Sequence, residues 1–141
     1  MDRRHKLVRR YSVTPAARHD SQELAAVLVP SNTASDVWAD SAYRSAETEE
    51  MLAGQGFKSR IHRKATRKRP LSAREDAGNK TRSRVRARVE HVFATFVSAM
   101  GGKMVRTIGI ARARAKIGMT NLAYNMKRYV WLEQSATEAI R

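Results

Sequence analysis

The chain contains no cysteine, only three prolines and no long apolar run. Without cysteine there is no disulfide framework and no thiolate metal site. The longest apolar stretch, Leu24 to Val29, is far too short to cross a bilayer, and nothing near Met1 resembles the core of a signal peptide. The four histidines are scattered, which argues against a zinc cluster. A Gly-rich phosphate loop of either standard spacing is missing, and so is a Ser-centred nucleophile elbow. Secreted disulfide scaffolds, membrane-spanning proteins and the common nucleotide and hydrolase signatures are thereby set aside. A soluble intracellular protein is the expectation.

What the chain does have is positive charge. Of its 141 residues, 28 are Lys or Arg and 13 are Asp or Glu, for a formal net charge of +15. That length suits one domain with a real core, and a hydrophobic content of 42% argues against wholesale disorder. The charge is unevenly placed. Residues 1–57 hold 7 basic and 8 acidic side chains, whereas residues 58–141 hold 21 and 5. A strongly basic half expects a polyanion, most often nucleic acid. Acidic membranes also attract basic segments, but require an amphipathic anchor or a lipid.

The local pattern alternates strands and helices. Lys6 to Thr14 is rich in β-branched and aromatic residues and reads as a strand ended by Pro15. Asp20-Ser-Gln-Glu23 opens a short helix through about Leu28, before Pro30. Asp36 to Asp40 reads as a second strand, Ser45 to Gly54 as a helix with acids in its first turn, and Phe57 to Ile61 as a third strand. This order predicts a parallel or mixed sheet with helices packed on it. Residues 58–69 carry seven Lys or Arg without apolar periodicity and read as a loop or mobile arm. Ser72-Ala-Arg-Glu75 is another capping box. From about Ser83 a long helix places Val85, Val89, Val92 or Phe93, Phe96 and Met100 on one stripe, stopped by Gly101-Gly102. A final helix from about Ile117 aligns Met119, Leu122, Ala123, Met126 and Val130, while Met104 to Ala113 reads either as a short strand or as the start of that helix.

Two carboxylates carry the available chemistry. Asp40 ends a strand, where α/β sheets place their ligands. Glu90 is the one acid between Asp76 and Glu133, in a helix with Arg82, Arg84, Arg86 and Arg88. A lone carboxylate there suits a hard divalent cation that shares its ligands with phosphate oxygens. Helical spacing puts Arg82 and Arg86 on the face of Glu90, where they can clamp phosphates. Plainer readings stand beside these: Asp40 as a turn acceptor or cap, Glu90 as the i−4 ion-pair partner of Arg86, and the arginines as a solvated face. Trp38 and Trp131 read as core. His19 and His91 flank the candidate acids and can reach phosphate, with nothing specific in their favour.

Taken together, Trp38-Ala-Asp-Ser-Ala-Tyr43, Arg84-Val-Arg-Ala-Arg-Val-Glu-His-Val-Phe93 and Met119-Thr-Asn-Leu-Ala-Tyr-Asn-Met126 resemble the DDE transposases of bacterial insertion sequences. The resemblance runs from about Arg3 to Leu132. It implies a ribonuclease-H-like α/β fold in which three acids hold two Mg²⁺ ions, with Mn²⁺ as substitute. Asp40 then matches the second acid, and Arg86-x-x-x-Glu90 the arginine and third acid of the family's helix. Ser83 and Val97 depart from the Tyr and Lys that many or some members carry at those positions. The resemblance also implies DNA contacts from Lys64, Arg67, Lys68, Arg82, Arg86 and Arg88, double-stranded transposon ends and target DNA as partners, a possible homo-oligomer, and a bacterial cytoplasmic, nucleoid-associated location.

The family's first acid lies on a central strand upstream of the second. Asp2, Asp20, Glu23 and Asp36 are the acids before Asp40, and none sits inside an apolar strand. The expectation is therefore a partial catalytic domain over residues 1–132 that lacks the first central strand, followed by a tail, 133–141. Such a chain keeps DNA affinity with little or no strand transfer, unless an upstream transposase fragment joins it. The alternatives are a non-catalytic basic nucleic-acid-binding protein and a metal-dependent nuclease of the same fold class.

Overall fold

The computed structural model describes residues 1–31, 35–101 and 106–140, and they divide into two compact units. The central unit is Arg18–Ala87, and the terminal unit joins Met1–Ala17 to Arg88–Arg141.

In the central unit a 3-10 turn, Asp20–Glu23, leads into the single-turn helix α1, Leu24–Val27. The cap is the His19 ring, which accepts the Ser21 N–H. Strand β1, Asp36–Val37, and strand β2, Lys58–Ser59, pair in parallel, with Asp36 opposite Lys58 and Val37 opposite Ser59. Further bonds extend the ladder: the N–H groups of Lys58, Arg60 and His62 donate to the carbonyls of Ser35, Val37 and Ala39 at 2.8, 2.8 and 3.1 Å. Parallel neighbours need a crossover, and α2, Ala46–Gly54, supplies it. Ser45 caps α2 by accepting the Thr48 N–H at 3.0 Å. The exit turns through Gly56 at φ 75°, a left-handed conformation that favours glycine. Leu52 and Ile61 are fully buried and Leu24 nearly so, each such side chain contributing about 1.5–3 kcal/mol.

The strand–helix–strand order of 36–61 is thus present. The larger mixed sheet is not: among the described residues the sheet has two strands. The basic stretch that follows is not a free arm. Thr66 and Arg69 exchange backbone bonds of 3.0 and 3.1 Å across a tight turn. Arg63 and Arg69 both reach Glu75 Oε1, at 2.9 and 2.8 Å, and Asn79 bonds the backbone N–H and carbonyl of Arg63.

Helix α3, Ala73–Ala99, begins ten residues before the expected Ser83. Its start is the capping box itself, in which the Glu75 N–H donates to Ser72 Oγ and the Ser72 N–H to Glu75 Oε2. Its first turns lack an apolar repeat and are held by that cap and the ties to 63–69.

The terminal unit contains the second half of α3 and helix α4, Ile110–Ile140. Residues 110–113 are therefore helical, while Met104 and Val105 lie outside the described residues. The stretch set apart as a tail continues α4 through Ile140. Lys6 to Thr14 forms no strand. Lys6 closes a turn, and along the stretch after it side chains of α4 supply the partners that a ladder would have supplied. Asn125 accepts the Val8 N–H and donates to the Val8 carbonyl, both at 2.9 Å. Tyr124 Oη–H donates to the Lys6 carbonyl, Arg128 Nε to that of His5, and Arg114 Nε to that of Val13.

This arrangement reverses the expected orientation of α4. Asn121 and Tyr124 are its buried residues, while Met119, Leu122 and Met126 are 64, 61 and 62% exposed. Trp131, expected in the core, is half exposed. The physical reason is the extended segment: its backbone polar groups must be satisfied, so the polar face of the helix turns toward it. Gly118 permits close approach there, since a Cβ would stand 2.5 Å from the Tyr11 hydroxyl oxygen. On α3, Val92 is buried and Phe93 is not, and Phe96 meets Tyr124 edge to face at 5.1 Å.

Candidate metal and nucleic-acid site

Asp40 follows directly on the β1 ladder, where the chain leaves the sheet. It caps the 3-10 turn Ser41–Tyr43, with Oδ1 accepting the Ala42 N–H at 2.9 Å. Its second oxygen faces outward, 3.6 Å from Arg86 Nη2 on α3. Burial, then the negative charges of Asp20 and Asp40, push the Tyr43 hydroxyl above its usual range, with Arg86 opposing. The plainer reading of Asp40 as a cap therefore describes one of its oxygens, and the other belongs to a charged surface shared with the basic helix.

Arg82 lies at the centre of the positive charge. It is half-buried and donates to Asn79 Oδ1 at 3.1 Å. Desolvation, then the charges of Arg63, Arg44 and Arg60, hold its guanidinium below the usual value. Each of those neighbours is tied to a carboxylate: Arg63 to Glu75, Arg44 to Glu49 and Arg60 to Asp36. Arg82 has no such partner among the described residues. An added anion would relieve the crowding there. Lys64, Arg67 and Lys68 project from the anchored turn, exposed and without an ion pair among the described residues. An anion would meet these cations without an ion bridge having to break first.

Glu90 and Arg88 fall in the terminal unit, Asp40 and Arg86 in the central one. Glu90 is exposed and forms no ion pair among the described residues, so Arg86, one helical turn earlier, has Asp40 as its carboxylate partner. Arg88 donates to the Arg3 carbonyl at 3.4 Å. His19 is engaged as a cap, and His91 lines a cavity of the terminal unit.

His62 is a residue that sequence reasoning passed over. One ring nitrogen meets the Ala39 carbonyl at 3.1 Å and the other the Ser83 hydroxyl at 3.0 Å. A carbonyl only accepts, so Nδ1–H donates and, in the neutral ring, Nε2 accepts from Ser83. His62 thus ties the strand end beside Asp40 to α3. The strand pairing held the signal: a register of 36 with 58 sets 40 beside 62.

No three His, Cys, Asp or Glu side chains gather at one place among the described residues. A divalent cation at Asp40 would have to displace Arg86 and find further ligands. The side chains around Asp40 do not by themselves fit a metal ion. No helix is long and apolar enough to cross a membrane among the described residues.

Comparison with known proteins places the chain in a class. A family model described as the transposase DDE domain matches residues 1–126. A transposase for insertion sequence element IS1106 of Neisseria meningitidis serogroup B is 28% identical over 114 residues, covering 81% of this chain and 40% of the relative. No solved structure matches significantly. The family match spans most of the sequence, and the chain belongs to the transposase DDE domain family.

Proposed function

We propose that the chain acts in DNA transposition, as a DNA-holding part of a transposase catalytic domain that cleaves and joins strands at insertion-sequence ends. The observation that carries this reading is the approach of Arg86 to Asp40 within a family-matched chain, a basic helix laid against the acid at a strand end. Asp40 and Glu90 are the second and third acids of the family's triad, and β1, α2 and β2 belong to a ribonuclease-H-like fold. Holding the family's divalent cation, Mg²⁺ with Mn²⁺ as substitute, would require ligands beyond Asp40, such as a carboxylate supplied by an upstream transposase fragment. Such ions would supply activation of water and stabilisation of a leaving oxygen. The part of these residues is to hold the duplex. Lys64, Arg67, Lys68, Arg82, Arg86 and Arg88 neutralise phosphates, and DNA displaces Arg86 from Asp40.

Binding of duplex DNA, measured as a function of salt, tests this. The triple change Lys64→Ala, Arg67→Ala, Lys68→Ala should lower the salt slope by about three, since each neutralised phosphate contributes roughly 0.9. An unchanged slope removes the anchored turn from the interface. Asp40→Asn and Glu90→Gln should retain DNA binding and abolish any Mg²⁺-dependent nicking by the assembled enzyme. Nicking that survives both changes defeats the assignment of the acids. A second reading, a non-catalytic basic nucleic-acid-binding protein, is favoured by the lack of a three-ligand cluster among the described residues. It gains if metal alters neither stability nor DNA affinity in the presence of the remaining transposase polypeptide.

A further inference from the structure

Within the terminal unit, the turn at Lys6 and helices α3 and α4 line an open cavity of about 230 Å³. Its wall is cationic and aromatic: Lys6, His91, Tyr124, Lys127, Arg128 and Trp131 line it, and no carboxylate does. Lys6 and Lys127 have no ion-pair partner among the described residues, so an anion entering here meets charge that nothing has yet neutralised. Two of the lining residues form a stacked pair. The Arg128 guanidinium lies 4.1 Å from the centre of the Trp131 ring, held there by its Nε bond to the His5 carbonyl at 2.9 Å. Half of the Trp131 surface stays open, and a second planar group can extend the stack.

The turn is fixed in place. Lys6 has φ 61°, the one non-glycine residue with positive φ among the described residues, a conformation that is costly for a side chain of this kind. It persists because the Lys6 N–H donates to the Asp2 carbonyl at 3.0 Å and the Lys6 carbonyl accepts from Tyr124 at 3.1 Å. Those bonds set the position of the lysine at the rim.

We infer that this cavity takes one unpaired nucleotide of a DNA strand, its base stacked on the Arg128–Trp131 pair and its phosphate set against Lys6 and Lys127. The volume limits the ligand. It falls below the roughly 300–1,000 Å³ of sites that enclose a drug-sized molecule, so it suits a single nucleotide at most, with the rest of the strand outside. A base pair inside a duplex is shielded on both faces by its neighbours and cannot lie on an indole, whereas an unpaired base can. The ligand is thus a single-stranded end or an unstacked base, where the surfaces around Arg82 and Lys64–Lys68 take duplex phosphates. The inference rests on the reading that this chain binds DNA.

Trp131 fluorescence reads the site directly. With Trp38→Phe as background, Trp131 is the single tryptophan of the full chain. Short oligo(dT) should quench it and a blunt duplex should not. Trp131→Ala should weaken oligo(dT) binding roughly fivefold or more, the effect of one lost base–aromatic stack, and leave blunt-duplex affinity unchanged. Lys127→Ala should weaken oligo(dT) more than Lys116→Ala, a charge-matched change elsewhere on α4. Helicity by circular dichroism checks that each variant is folded, and a Trp131→Phe variant that retains oligo(dT) binding separates stacking from structural loss. Duplex binding without quenching by oligo(dT), or oligo(dT) affinity unaffected by Trp131→Ala, overturns the inference and leaves the proposed function standing. Quenching by poly-glutamate as strong as by oligo(dT) overturns it in favour of an acidic peptide. Failure of both duplex and oligo(dT) to bind overturns the proposed function and this inference with it.

Discussion

The two units reach order by opposite means. The central unit hides its large apolar side chains and spreads ion pairs over its surface: Arg18 with Glu23, Arg44 with Glu49, Arg60 with Asp36, and Arg63 and Arg69 with Glu75. The terminal unit buries Val92 and Tyr124 but leaves much of its apolar surface open. Every large hydrophobic side chain that stands exposed among the described residues belongs to it, from Tyr11 through Phe93 and Met119 to Trp131, while Asn121 is buried. A strand–helix–strand crossover satisfies its own backbone, so its side chains are free to make a core. An extended segment without a ladder must borrow partners from side chains, and the helix that lends them turns its polar face inward. The difference teaches that burial follows the demands of the backbone before it follows hydrophobicity.

Core truncation should separate the units most sharply. Leu52→Ala removes a side chain that is 1% exposed and should lower stability by about 2–5 kcal/mol, read as a fall in the denaturant midpoint. A loss below about 1 kcal/mol would mean that the central unit has little core to lose. Next comes the borrowed ladder. Asn125→Ala leaves both backbone groups of Val8 without their partner and should cost about 1–3 kcal/mol, with faster hydrogen exchange at the Val8 amide. Unchanged exchange there would show that the segment is held by something else.

A pH experiment probes the ties of the central unit. The Ser72 N–H, despite partial burial, and then the Ser72 hydroxyl, Arg69 and Arg63 hold the Glu75 carboxyl below its usual value. A carboxyl depressed on folding stabilises fully above its unfolded value, and the contribution disappears as pH falls through the folded one. Glu75→Gln should therefore flatten the loss of stability on acidification below about pH 4.5, with its main effect already present near neutrality. A variant with the parent's acid profile would remove Glu75 from the anchor. The smallest effect belongs to the apolar stripe: Leu122→Gln with Met126→Gln should change stability by no more than about 0.5 kcal/mol while raising solubility. A large destabilisation would place that stripe in a core after all.

The same contrast explains what could be read from the residues. Helix α2 was legible because its signals are local: Ser45, the acids at 47 and 49, and Gly56. The place of Asp40, three residues past β1, followed from the strand pattern, and the positive helix from the arginines at 82–88. The first ten residues of α3 escaped because a helix anchored by a cap and salt links needs no apolar stripe. The inner face of α4 escaped because Asn121, Tyr124, Asn125 and Arg128, although spaced as a helical face, are residues that ordinarily point to water. The partners that turn them inward lie far away in sequence. His62 escaped because its place beside Asp40 depends on strand register, a long-range property.

The borrowed ladder also sets a timetable. Val8 and Asn125 are separated by 117 residues, and neither can be satisfied by the other until both have been made. At about 5–20 residues per second of synthesis, the Val8 segment waits roughly 6–23 seconds for its helix. The central unit, whose contacts are closed by residue 87, can fold during that interval. A stretch made well before its partner helix is thus among the last to find its place, and for that time its open backbone is a template on which another chain can act.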